Sequence, residues 1–414
     1  VGIDQCLQHG QNLPGHPPMK TVLQIEESDA RSPQRPTFAL WALGFRPLYL
    51  SASLYAALAV PLWALQFAGW VPGARAPAWH AHEMLFGYAV AIIVGFLFTA
   101  GRNWSGQPTP TGRALMALCA LWAAGRLLVY TPWPLLAMVV NVAFPWAAAV
   151  ALARALVAGN NRRNYFFVGI LVALGAAQAL AHAALAGWIT LPSQVWLRFG
   201  LEIVLFVMVV MAGRVVPMFS NNGAPGTDAR RVAWLEKAAL GLVIAVVAAG
   251  VAGLRGNALA ALLALTAVAH GARLALWHPW RTLRAPLVWV LHLAYGWVVL
   301  HFALRAMAEA DWLASSVATH ALTAGAIGTL TLGMMTRTAR GHLGRPLKAE
   351  FTEVWIYGLV SAAALLRVLG PLAWPQGMAA EVAISGLLWS AAFALFAWRY
   401  GPWLLHTRID GKPG

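Results

Sequence analysis

WHAHEMLFGYAVAIIVGFLFTA, residues 79–100, decides the fold. From Met84 onward it is a hydrocarbon-spanning segment by composition, while its first five residues carry two histidines and a glutamate. Eleven further runs of the same kind surround it, and twelve in all lie at 48–69, 82–100, 113–130, 134–157, 165–188, 196–217, 233–253, 257–277, 286–307, 316–336, 354–371 and 378–399. A bilayer core takes roughly 20 apolar residues per helix, and in lipid only helices and closed barrels satisfy their own backbones. Barrel strands would alternate polar and apolar residues; continuous Ala- and Leu-rich runs say helix.

The whole composition agrees. The chain of 414 residues is 60% hydrophobic and 10% charged, where soluble domains are about 25% charged. This leaves too little polar surface to coat a soluble globule, so the expected fold is an all-α polytopic membrane protein of about twelve transmembrane helices. Residues 1–37 are polar and proline-containing, with no apolar core of a secretory signal, and read as a disordered tail or as sequence ahead of a start at Met19. Residues 38–405 form a single membrane domain and 406–414 a cytoplasmic tail.

The net charge of +15 could suggest nucleic acid, but its distribution points elsewhere. With twelve spans, one face receives only Arg75, Arg126, Arg198, Arg255, Arg305 and Arg367, and every other Lys and Arg falls on the opposite face. By the positive-inside rule that second face, with both termini, is cytoplasmic. The basic charge is then a topology signal, and the expected partner is a lipid bilayer, with no nucleic acid. Trp63, Trp70, Trp79, Trp104, Trp188, Trp196, Trp277, Trp280, Trp312, Trp374 and Trp398 sit near run ends, as interfacial belts do.

Ionisable groups inside spans are costly and mark function. His80 and His82 fall at the outer end of the second run, His320 just inside the tenth from the same side, His182 and His301 in the outer half, and His270 and His292 at matching depth in the inner half. On a regular helix, at about 100° per residue, His80 and His82 diverge and cannot share one metal, whereas His80 and Glu83 share a face; if the chain is still extended there, alternate residues share a face and the two histidines could. Glu83 is then the expected acceptor that fixes a ligating imidazole. A single histidine in a span is often an interhelical hydrogen-bonding residue; so many across five runs argue for more. Cys6 and Cys119 make no thiolate site, so a histidine-ligated haem or copper is the natural cofactor. A proton or ion path would recruit intramembrane carboxylates, and only Glu202 lies deep, with Glu83 near an end. On the cytoplasmic side Arg46, Arg214, Arg337 and Arg345 sit at or just beyond run ends, either as positive-inside anchors or as forks for an anionic group such as a haem propionate.

FRPLYL (45–50), WHAHEMLFGYAVAIIVGFLFTAGRNWSG (79–106), GRVVPMFS (213–220), PLVWVLHLAYGW (286–297) and HALTAGAIGTLTLGMMTRTARGHLGRPL (320–347), in this order, resemble the NnrS family. The resemblance covers roughly 38–400. It implies a twelve-helix bacterial inner-membrane protein of denitrification and nitrosative stress, containing haem, expected as b-type, and copper. Its histidines carry over to His80, His82, His292, His320 and His342, with His270 a further candidate beside His292; His182 and His301 lie outside the motifs, and Ser220 stands where threonine is expected. Three functions follow for testing: a haem/copper protein that binds or handles nitric oxide, a haem–copper-oxidase-like reductase with an electron donor, and a transporter with helices broken at Pro61, Pro145 or Pro217.

Overall fold

The computed structural model describes residues 37–72 and 77–412; the tail before Thr37, including Met19, lies outside the described residues. Those described form twelve helices with short connections: α1 (Phe45–Phe67), α2 (Pro77–Ser105), α3 (Gly112–Leu128), α4 (Pro134–Ala158), α5 (Phe166–Leu185), α6 (Ser193–Gly223), α7 (Ala233–Val251), α8 (Gly256–Ala275), α9 (Pro286–Glu309), α10 (Ser315–His342), α11 (Phe351–Ala373) and α12 (Met378–Leu405). Eleven are long and apolar enough to cross a membrane. The exception is α3, at 17 residues, the lower end of what a bilayer core accepts. The protein is a polytopic membrane protein that associates with a lipid bilayer. Pro61, Pro145 and Pro217 sit within α1, α4 and α6, which continue through them. Neighbouring helices and local adjustment re-satisfy the freed carbonyls.

The bundle closes on itself. Packing of α1 against α12 is as extensive as any in the fold, and the flanking backbone seals it. Ala39 N donates to Leu405 O at 2.7 Å, Thr407 N to Thr37 O at 2.9 Å, and Phe38 bridges His406. The start of α1 and the end of α12 therefore lie at the same end of the bundle, as an even number of traverses requires.

Packing repeats every four helices. The junctions α4/α5, α8/α9 and α12/α1 recur around the ring, as do α1/α2, α5/α6 and α9/α10. Helices α2, α6 and α10 converge on the interior. The repeat is closest between α2 and α10. Each begins with six α-helical residues ending in histidine (Pro77–His82; Ser315–His320), continues as seven π-helical residues (Glu83–Ala89; Ala321–Ile327), then returns to α-helix. At one constant offset, His82, Gly87, Gly95, Arg102 and Gly106 match His320, Gly325, Gly333, Arg340 and Gly344. Gly95 packs on α1 through Phe45 and Leu48, and Gly333 on α9 through Val290 and Leu291. Gly106 and Gly344 both hold left-handed φ, 66° and 71°, at the helix C-terminus, a conformation that glycine adopts without strain.

Buried ion pairs lock helices together: Glu83–Arg126 (2.7 Å, α2–α3), Glu202–Arg305 (2.5 Å, α6–α9), Glu236–Arg273 (2.5 Å, α7–α8), Glu353–Arg340 (2.7 Å, α11–α10) and Glu381–Arg367 (3.3 Å, α12–α11). Arg126, Arg305 and Arg367, which the sequence reading counts on the outer face, are thus turned into the protein. Each neutralises a carboxylate that would otherwise be expensive to bury.

Candidate functional site

At the bundle end opposite the α1 start, the ends of α1, α3, α5 and α11 meet the beginnings of α2, α4, α10 and α12. His82 and His182 pack together there, and His80 and His320 lie within electrostatic reach of each other. The His82 and His182 ring centroids are 4.6 Å apart and the planes nearly perpendicular. His82 is 2% and His182 7% exposed. His82 Nδ1–H donates to Glu83 Oε1 at 2.7 Å. Glu83 is fully buried, and its Oε2 accepts from Arg126 at 2.7 Å and from the Tyr55 hydroxyl. Arg126 also donates to Asn141 Oδ1, which Gln178 Nε2 reaches at 3.2 Å. Five helices thus hold one imidazole in one orientation. In the neutral tautomer that donates Nδ1–H to the carboxylate, the lone pair is on Nε2. That atom, and Nε2 of His182, are both buried without a hydrogen-bond partner.

Glu83 therefore serves His82, not His80 as helical spacing suggested. The reason is the π segment that starts at Glu83: in the widened turn, neighbouring side chains diverge less than the α-helical 100°. Gly87, in the same segment, leaves room for the Arg126 guanidinium, which a Cβ there would overlap.

His80 turns the other way, as predicted for residues two apart. It stacks on Trp63 at 4.1 Å with planes 16° apart, and lies within electrostatic reach of Arg367 and of His320. His320 Nδ1–H donates to Ser316 O at 2.7 Å, while Nδ1 of His80 is buried without a partner. Trp63 thus belongs to the histidine cluster rather than to an interfacial belt, as does Trp277 below.

The remaining candidates lie deeper or at the other end. His292 Nε2–H donates to Ser220 Oγ at 2.8 Å, because Ser220 spends its own proton on Val216 O at 2.7 Å; Nδ1 of His292 stays buried and unpartnered. The hydroxyl that replaces threonine here is therefore in use. His270 faces the Tyr295 hydroxyl at 2.5 Å in a network with Arg273 and Glu236, and Trp277 packs between Tyr295 and His292. The α8–α9 hairpin thus does bring His270 and His292 into one neighbourhood. His301 Nδ1–H donates to Ala318 O at 2.8 Å. His342 packs on Phe45 and lies in the field of Arg46, Arg102 and Arg408.

The four arginines do not form a single cradle. Arg46 donates to Leu404 O and His406 O, and Arg214 to Asn164; Arg337 lies 4.1 Å over Phe219 and Arg345 3.7 Å over Trp403.

Between α2, α6 and α10 lies a partly open cavity of about 80 Å³, lined by Tyr49, Ala89, Ile92, Met208, Met211, Met334 and other largely apolar side chains. It begins where the two π segments end.

Residues 39–408 match the family described as NnrS protein. The chain belongs to the NnrS family. A comparison with curated proteins found no match. Among the described residues no three His, Cys, Asp or Glu side chains gather as a ready metal cluster, so the fit of this NnrS chain to a metal is tested on pairs. At the outer end, ring nitrogens of His80, His82 and His182 are buried without hydrogen-bond partners, and the Glu83 carboxylate backs His82. Spacing could not reveal His182, whose signal was only its place inside a span.

Proposed function

We propose that this NnrS chain is a bacterial inner-membrane protein that holds haem and copper and uses them to bind nitric oxide, protecting the cell during denitrification and nitrosative stress. The single observation that supports this most is the gathering of His80, His82, His182 and His320 at one bundle end, with ring nitrogens left unpartnered where water is scarce. An unsatisfied polar atom in such surroundings costs on the order of 2–7 kcal/mol, a cost that a bound metal removes. His80 and His320 would hold a b-type haem, and His82 with His182 the copper; His292, with His270 near it, and His342 are the further ligand candidates. Arg46 lies at the opposite end of the bundle and donates to Leu404 O and His406 O, and Arg214, Arg337 and Arg345 are likewise occupied locally, so none of the four is placed to hold a propionate of a haem at the His80/His320 end.

When bound, ferrous haem supplies the iron that takes up nitric oxide. The chain does the rest: Trp63 fixes the His80 ring, Glu83 holds the Nδ1 proton of His82, and the apolar void between α2, α6 and α10 admits a neutral diatomic while excluding water. Matching of the buried glutamates to arginines weighs against a proton- or ion-coupled transporter.

The test is to purify the protein in detergent, quantify haem and copper, and record the reduced spectrum with and without nitric oxide. Stoichiometric haem with a Soret band shifted by nitric oxide supports the proposal; absence of both metals after expression with haem precursor and copper overturns it. Consumption of nitric oxide in proportion to an added electron donor would reassign the protein as a reductase.

A further inference from the structure

We propose that Arg46, Arg102, Arg408 and His342 form a binding site for an anion of phosphate chemistry, at the bundle end where α1 begins and α12 ends. The site lies at the opposite end from His80, His82, His182 and His320 and does not rest on the haem and copper reading.

Charge is unbalanced there. The ionisable groups that act on His342 are Arg408, Arg46 and Arg102, all cationic. The Asp410 carboxylate is spent on Arg408 through both oxygens, at 2.8 and 2.6 Å. Arg46 is fully buried; its Nη1 donates to Leu404 O and His406 O, and its Nε is buried without a partner. A positive-inside anchor keeps its charge in water or among headgroups. A guanidinium inside the protein is costly without a counter-ion, and the buried Arg126, Arg273, Arg305 and Arg340 each have a glutamate.

The internal repeat gives an independent observation. Arg102 near the end of α2 matches Arg340 near the end of α10. Arg340 is neutralised by Glu353 at 2.7 Å and Glu350 at 3.0 Å, both brought by the start of α11. At the same offset, Gly112 and Leu115 of α3 stand where α11 brings Glu350 and Glu353. No carboxylate pairs with Arg102 among the described residues. The second copy of the unit thus carries its own counter-charge, and the first keeps the arginine without it.

The donors define the chemistry. Guanidinium groups offer N–H donors and no acceptor. Here they come from α1, α2 and the segment after α12, with the imidazole from α10. A phosphate presents acceptor oxygens in several directions and pairs with arginine forks. The same charges repel a metal cation, which takes His342 out of the ligand candidates named above. Two sources share this chemistry: the headgroup of an anionic phospholipid, since the site stands at the ends of spanning helices, and free phosphate.

The experiment is a thermal-melt titration of the purified, delipidated full-length protein in detergent. One arm adds inorganic phosphate and the other short-chain phosphatidylglycerol, with short-chain phosphatidylcholine as the zwitterionic control. Arg102→Gln is titrated beside Arg284→Gln, which removes an exposed charge from the α8–α9 connection at the same bundle end. The expected result is a saturable rise in melting temperature for wild type and Arg284→Gln, with apparent Kd weakened about tenfold or more in Arg102→Gln, as loss of a charge-assisted contact requires. A response to inorganic phosphate assigns the free anion; a response to phosphatidylglycerol alone assigns the headgroup. No response of wild type to either probe, binding by Arg102→Gln as tight as wild type, or equal weakening in Arg284→Gln overturns the site. If Arg102→Gln fails to fold, native mass spectrometry of wild type decides: one phosphate or one phosphatidylglycerol retained per chain supports the site, and none overturns it. His342→Gln is expected to keep the wild-type haem and copper content; loss of either would make His342 a metal ligand and overturn the assignment. A missing nitric-oxide shift of the haem spectrum would instead fail the functional proposal and leave this anion site standing.

Discussion

His82 and Glu83 are adjacent in sequence yet hydrogen-bonded side chain to side chain, Nδ1 to Oε1 at 2.7 Å. On a regular α-helix they would point about 100° apart. The π-helical turn that starts at Glu83 brings them together, and with them Arg126 from α3 and Tyr55 from α1. Single π turns concentrate at functional sites because the extra residue re-aims side chains without ending the helix. Here the re-aimed side chain decides which nitrogen of His82 is free.

Replacing Glu83 separates positioning from stability. In Glu83→Gln the Arg126 charge stays buried without its counter-ion, and stability falls by about 3–5 kcal/mol. Affinity for the copper proposed at His82 and His182 falls about 10–100-fold, because the Nδ1 proton loses its carboxylate. The double variant Glu83→Gln with Arg126→Met removes the stranded charge. We expect it to regain most of the thermal stability in detergent but not the copper affinity. Recovery of both together would show that Glu83 acts on the fold alone.

The two π segments make a second prediction. A Cβ at Gly325 would meet the Trp297 ring at 2.5 Å, and one at Gly87 would overlap the Arg126 guanidinium, whereas Gly241 on α7 has nothing within 4 Å. Gly87→Ala and Gly325→Ala are each expected to lose about 1–3 kcal/mol from overpacking, read as a lower melting temperature. Gly241→Ala is expected to hold or gain slightly from helix propensity. Equal behaviour of all three would mean that the close approaches at the π turns are not rigid.

Much of this architecture was legible in the sequence, and the limits have physical causes. Apolar runs locate the helices because lipid permits nothing else that is lined with Ala and Leu; even the short run that became α3 was visible. The divergence of His80 from His82 follows from helical geometry; the sequence leaves it as one of two alternatives, because it does not say whether the helix has already begun at His80. The partner of Glu83 was not, because a one-residue change of helical turn leaves no mark in residue types. Arg126, Arg305 and Arg367 count on the outer face in the sequence, because a charge near a run end looks the same whether it snorkels outward or turns in to a glutamate on another helix. His182 lacked any motif, and only the packing of α5 against α4, with α2 beside them, brings it to His82. The relation of α2 to α10 was hidden by divergence: the matched residues are few, and three of the five pairs are glycines, whose role is close approach rather than chemistry.

The closure of the bundle predicts its topology in the membrane. Residues 37–39 pair with 405–407, so reporters at the two ends of the domain must fall on one side. A fluorescent protein fused after Lys412 is expected to fluoresce in the bacterial cytoplasm, and alkaline phosphatase inserted at Asp311, between α9 and α10, to be active outside it. The opposite pattern would invert the bundle and put the His82/His182 end toward the cytoplasm.

The void between α2, α6 and α10 makes the last prediction. Its walls are almost wholly apolar, with Met208 and Met211 from α6 facing Met334 from α10. A neutral diatomic dissolved in the bilayer would find there a space that water has no reason to fill, since a dry apolar cavity offers no hydrogen bonds. Met208→Trp puts a larger, flat side chain into that space, at an overpacking cost of about 1–3 kcal/mol. If the void is the route to the haem, nitric oxide binding in stopped flow slows by tenfold or more, while the reduced spectrum before and after binding stays that of wild type. If the void is only a packing defect, the rate is unchanged and the melting temperature alone moves. A changed spectrum would put the haem itself against Met208, in place of the His80 and His320 end.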